Sequence, residues 1–161
     1  MCCAIGHSAG AQLALWLAAR SKLPVSSDAY SADPLPLRGV VSLAGITDLR
    51  SYALGGGSCN AAVRELMGGT PRSVGERYAQ TNPWDLLPLG LPLRFVHGGA
   101  DTIVPITQSR RLAGAESKTN AAVELRIIHS AGHFDVIAPF SPTWPVVERY
   151  ILELALPAAR D

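Results

Sequence analysis

The stretch Cys2-Cys3-Ala4-Ile5-Gly6-His7-Ser8-Ala9-Gly10-Ala11-Gln12-Leu13-Ala14-Leu15-Trp16-Leu17-Ala18-Ala19 carries three signals in succession. A short apolar run ends at Gly6, a tight turn follows, and Ala9 to Ala19 is rich in residues of high helix propensity. The turn itself is a G-x-S-x-G pentapeptide, Gly6-His7-Ser8-Ala9-Gly10. Between a strand and a helix, such a turn forces its serine into a strained conformation that projects the hydroxyl from the strand end. The positions two before and two after the serine are crowded together, which suits glycine. A bare G-x-S-x-G also arises by chance in Gly- and Ser-rich loops, but such loops lack the flanking strand and helix. The helix is apolar nearly all round, so both it and the strand feeding it are expected to be buried.

Outward from this elbow, strands alternate with helices. Residues 39–44 and Leu93-Arg94-Phe95-Val96-His97 read as the second and third strands. Val123 to Ile128 reads as the fourth, alternating like an edge strand. Helices are expected at 61–67, 74–80 and 106–115, and a last one from an N-cap at Ser141 to Leu156 with Trp144, Val147, Ile151 and Leu154 as its apolar stripe. The stretch between the second and third strands is broken by Gly55-Gly56-Gly57, Gly68-Gly69-Thr70-Pro71 and Asn82-Pro83, and reads as a loop-rich insertion between them. This order predicts an α/β fold with a mostly parallel sheet, in one domain over residues 1–161.

A serine hydroxyl needs a neighbouring base, and the base a carboxylate to fix its tautomer. His133, in the flexible Ser130-Ala131-Gly132-His133-Phe134 loop after the fourth strand, is the expected base. His129 is its rival and reads as a hydrogen-bonded structural histidine, while His97 reads as a brace for the Gly98-Gly99 turn. Asp101, after the third strand, is the expected acid. Asp48 competes for that role, whereas Asp135 reads as a loop cap. The chain order Ser8, Asp101, His133 is neither that of chymotrypsin nor that of subtilisin. Ile46, Trp84, Ile103 and Phe134 lie beside these loops and are candidates for lining an acyl pocket.

Composition narrows the partners. A net charge of +1 with singly spread arginines argues against nucleic acid and anionic membrane. An apolar share of 48% against a charged share of 17% describes a folded protein rather than a disordered one. No apolar run reaches the length of a membrane span and no secretory leader is read at the N-terminus, so a soluble cytoplasmic protein is expected. Cys2, Cys3 and Cys59 fit neither a disulfide framework nor a metal-site spacing, and are expected to be buried thiols. His129, His133 and Asp135 have a conceivable metal-ligand spacing, but nothing else completes a first shell, so no metal and no cofactor is expected.

Gly6-His7-Ser8-Ala9-Gly10-Ala11, Leu43-Ala44-Gly45-Ile46-Thr47-Asp48-Leu49, His97-Gly98-Gly99-Ala100-Asp101-Thr102-Ile103-Val104-Pro105 and Ala131-Gly132-His133-Phe134 together resemble the C-terminal half of α/β-hydrolase esterases. The carboxylesterase, hormone-sensitive-lipase and kynurenine-formamidase-like group is the branch they are most similar to, with prolyl-oligopeptidase-type domains next. The resemblance implies Ser8 as nucleophile, Asp101 as acid, His133 as base, the Ala9 amide as one oxyanion donor, and a small ester or amide as substrate. It implies a partial α/β-hydrolase fold that starts at the nucleophile strand, the strands and glycine-rich second oxyanion loop of a complete member lying upstream. That nucleophile strand would then have one unpaired edge, open to self-association. A prolyl-oligopeptidase-like peptidase domain, or a non-catalytic remnant serving as a binding module, are the alternatives.

Overall fold

The computed structural model describes residues 2–156. Four strands, β1 (Cys2–His7), β2 (Leu37–Leu43), β3 (Leu93–Gly98) and β4 (Val123–Ile128), form one sheet in the order β1-β2-β3-β4. Every neighbouring pair is parallel. Parallel neighbours need crossovers, and helices supply them. The helix α1 (Ala9–Ala19) links β1 to β2, α5 (Thr107–Glu116) links β3 to β4, and α2 (Leu49–Ala53), α3 (Ser58–Met67) and α4 (Gly75–Thr81) lie between β2 and β3. The last helix is α6 (Trp144–Ala155).

The central strands β2 and β3 are buried along most of their length because both faces are covered. Successive side chains alternate between two cores. Val40, Leu93 and Phe95 pack with Ala14, Leu15 and Ala19 of α1 and Leu112 of α5. Val41, Leu43 and Val96 face the other way, onto Val147, Tyr150 and Leu154 of α6. Each large side chain so buried contributes on the order of 1.5–3 kcal/mol relative to exposure. A third cluster, with Ile46, Tyr52, Met67 and Tyr78, ties α2, α3 and α4 together beyond the C-terminal end of β2.

Several expectations change. The strand β1 is the sheet's edge and is only partly covered, with Ile5 43% exposed. On α1, the face carrying Ala11, Ala14, Leu15 and Ala19 is buried, but Leu13 and Leu17 are 55% and 42% exposed. An apolar sequence reports what a surface could bury; here no described element covers that face. Cys2 and Cys59 are exposed and Cys3 is half-buried, all three free, so they are not buried thiols. The N-cap of α6 is Thr143, not Ser141, with Pro145 in the first turn; the Ser141 hydroxyl instead accepts from the Thr143 amide at 3.3 Å. The insertion holds a helix more than expected, α2, capped by Asp48.

Candidate active site

Ser8 sits between β1 and α1 with φ 55° and ψ −118°, a positive φ that a non-glycine residue holds only under strain. Such strain costs about 1–3 kcal/mol and persists only where neighbours over-determine it. They do so here. The Ser8 amide donates to the Leu43 carbonyl at 2.9 Å, and its own carbonyl accepts from Ala11 (3.1 Å), Gln12 (3.3 Å) and Ile46 (3.2 Å). A Cβ on Gly6 would lie 2.1 Å from the Gly10 carbonyl oxygen, so that position admits only glycine. At Gly10 the crowding inferred from sequence is not found, because a Cβ there would meet nothing within 4 Å. The Ser8 side chain makes no capping bond to α1. Ala9, the first residue of that helix, is exposed.

Asp101 and His133 follow the C-terminal ends of β3 and β4, on the sheet edge where β1 delivers Ser8. One carboxylate oxygen of Asp101 accepts from the Ile103 and Val104 amides, at 2.8 and 2.9 Å. The other accepts from His133 Nδ1 at 2.7 Å. The Asp101 side chain is fully buried. Burial alone would push its carboxyl up, but the hydrogen bonds from His133 and the two amides outweigh this and hold it below the usual carboxylate value. The Asp101 and His133 loops nest against each other. Ala100 N–H donates to the Ala131 carbonyl at 2.9 Å, and a Cβ on Gly98 would stand 2.3 Å from that same oxygen. Asp135 caps the His133 loop by accepting from the Gly132 amide at 2.6 Å.

His97 is fully buried, bonded through Nδ1 to the Ser109 hydroxyl (2.8 Å) and through Nε2 to the Val104 carbonyl (2.9 Å). It braces the segment that carries Asp101. His129, in the turn after the edge strand, is solvent-exposed rather than a buried structural histidine. Asp48 is occupied elsewhere: it caps α2 through the Ser51 amide (3.2 Å) and pairs with Arg111 (3.1 Å).

The structure therefore joins Asp101 and His133 directly, while Ser8 Oγ makes no hydrogen bond to His133 in this arrangement. The link between the elbow and His133 is His7, whose ring centroid lies 4.4 Å from that of His133. Sequence reasoning placed His7 only inside the elbow motif; a contact across 126 positions leaves no local trace.

The four pocket candidates fall in different places. Ile46 is buried in the third cluster and Ile103 packs against it. Trp84 packs against the core beneath α1, with the Arg111 guanidinium 4.6 Å from its ring centroid. Of the four, Phe134 alone offers open apolar surface beside His133, 63% exposed and edge-on to its ring at 5.0 Å. Among the described residues no group of three His, Cys, Asp or Glu side chains is placed to hold a metal ion, and no helix is long and apolar enough to cross a membrane.

A strained serine at a strand-to-helix turn, with a buried Asp–His pair on the same edge of a parallel sheet, defines an α/β-hydrolase-type domain, here a partial one. The family model described as BD-FAE matches residues 1–115, and the chain belongs to that family. The match includes Ser8 and Asp101 and stops short of His133. Among solved structures, a truncated carbohydrate esterase from gut microbiota is similar at TM-score 0.72 and 20% identity, over 93% of this chain and 58% of that one. The Est2 esterase of the Planctomycetes species Thermogutta terrifontis is similar at TM-score 0.65 and 20% identity, over 98% and 58%. The acylaminoacyl peptidase of Pyrococcus horikoshii is similar at TM-score 0.66 and 19% identity, over 98% and 24%. At such identities the likeness is one of fold, and the chain spans well under two thirds of each of those proteins. No curated protein matches the chain.

Proposed function

We propose that the chain carries the nucleophile, base and acid of a serine hydrolase acting on a carboxylic ester, with an amide as the second substrate class. The observation that carries this reading is the His133 Nδ1 to Asp101 bond at 2.7 Å beside the elbow. An ionised carboxylate only accepts, so the proton of that bond belongs to Nδ1, and Nε2 keeps its lone pair. In this reading Nε2 takes the Ser8 proton as Oγ attacks the substrate carbonyl, and returns it to the leaving group as the acyl-enzyme forms. A water activated by the same nitrogen then releases the acid. The Ala9 amide is one oxyanion donor; a second, when missing, costs on the order of 100- to 1000-fold in turnover.

Protein groups alone activate the nucleophile, so the reaction uses no cofactor. The substrate is a small molecule reaching His133 past Phe134. Three free thiols support a reducing, cytoplasmic setting. The test is reaction with a fluorophosphonate probe. The chain labels and Ser8→Ala does not; a folded, soluble chain that fails to label is a non-catalytic member serving as a binding module. Likeness to the acylaminoacyl peptidase favours a peptidase as the second reading. Turnover of an acylaminoacyl anilide in preference to a p-nitrophenyl ester would select it.

A further inference from the structure

We propose that His7 is a positioning residue, which fastens the backbone of the base to the elbow and so sets where the His133 imidazole stands relative to Ser8. This rests on the hydrolase reading above and adds to it a residue outside the three reacting groups.

His7 Nε2 lies 2.9 Å from the carbonyl oxygen of His133. A carbonyl only accepts, so Nε2 carries the hydrogen and donates it. The accepting group belongs to the very residue whose imidazole is to act. With its carbonyl held by His7 and its Nδ1 held by Asp101 at 2.7 Å, His133 is fixed at both ends, from β1 and from β3. His7 is also the residue before Ser8, whose backbone is bonded on both sides. The serine and the base thus share a reference point one residue long, although the base lies on a loop. The rings of His7 and His133 meet at 4.4 Å, tilted by 49°, and Phe134 closes the stack 5.8 Å from His7. Burial lowers the proton affinity of His7, and the bond to the His133 carbonyl only partly restores it. A neutral ring there does not repel the imidazolium that forms when His133 takes the serine proton.

The experiment compares His7→Gln, which keeps an N–H donor, with His7→Phe, which keeps a ring and loses the donor. Two readouts are taken on the full chain: the rate of fluorophosphonate labelling, and the downfield NMR resonance of the Nδ1 proton between His133 and Asp101. His7→Phe is expected to slow labelling on the order of 10- to 100-fold and to shift or broaden the resonance, with His7→Gln close to the parent in both. Wild-type behaviour of His7→Phe, or equal loss in both variants, overturns the proposal. If His7→Phe does not fold, His7→Asn, whose amide is too short to reach the carbonyl, replaces it. A parent chain that never labels ends the hydrolase reading, while the resonance still decides whether His7 holds the base.

Discussion

Asp101 does two jobs with its two oxygens, and the division makes its amide variant informative. In Asp101→Asn the remaining carbonyl oxygen can still accept from the Ile103 and Val104 amides, so the loop should keep its shape. What is lost is the acceptor that fixes the His133 tautomer, and the expected fall in labelling rate is about 10⁴-fold with little change in melting temperature. The histidines around it set the acid limb of stability. Burial lowers the proton affinity of His97, and of His7, below the ordinary value of 6.5, so the fold holds both neutral while the unfolded chain protonates them first. The unfolded state therefore binds more protons below pH 6.5. Stability from this source is complete above that pH and is lost as pH falls through the lower folded-state values. Asp101, depressed from 3.8, acts in the same direction at more acid pH. Melting temperature should drop between about pH 7.5 and about pH 5, and His97→Gln should flatten that drop. No slope at all, or a rise, would contradict it.

The elbow shows what a motif encodes and what it leaves out. Gly6→Ala drives a methyl into the Gly10 carbonyl and should destabilise by about 4 kcal/mol or more, seen as loss of the folding transition in a denaturant titration. Gly10→Ala meets open space and should melt close to the parent, although the pentapeptide writes both glycines alike. The strands were legible because β2 and β3 are short, mostly apolar segments ended by glycines, and the last helix because its stripe at Val147, Ile151 and Leu154 has helical spacing. The helix α2 was not, since five residues started by an aspartate cap give too short a periodicity to detect. The loops bearing Asp101 and His133 were placed by topology alone. Their mutual fit, through Ala100 and Ala131, is a tertiary contact that no local pattern announces. Side-chain direction was equally hidden: Ile46 and Phe134 both adjoin site loops, yet one is buried and the other open.

At the scale of the molecule the sheet is asymmetric. The edge at β4 alternates polar and apolar residues, as a strand facing water should. The edge at β1 presents Ile5 in the strand, with Leu13 and Leu17 exposed on the helix that follows. Unpaired strand groups beside apolar side chains favour association. Sedimentation velocity should therefore show concentration-dependent assembly, relieved by Ile5→Lys; a monomer at all concentrations would count against it. The opposite face has its own vulnerability. The strand residues Val41, Leu43 and Val96 are covered by α6, which comes after every strand in the chain. In a nascent chain the four described strands thus emerge with one side still wet, and that side can dry only when residues 144–155 clear the exit tunnel. A chain ended just before Trp144 would offer a chaperone an open apolar floor, and one that carries residues 144–155 would not.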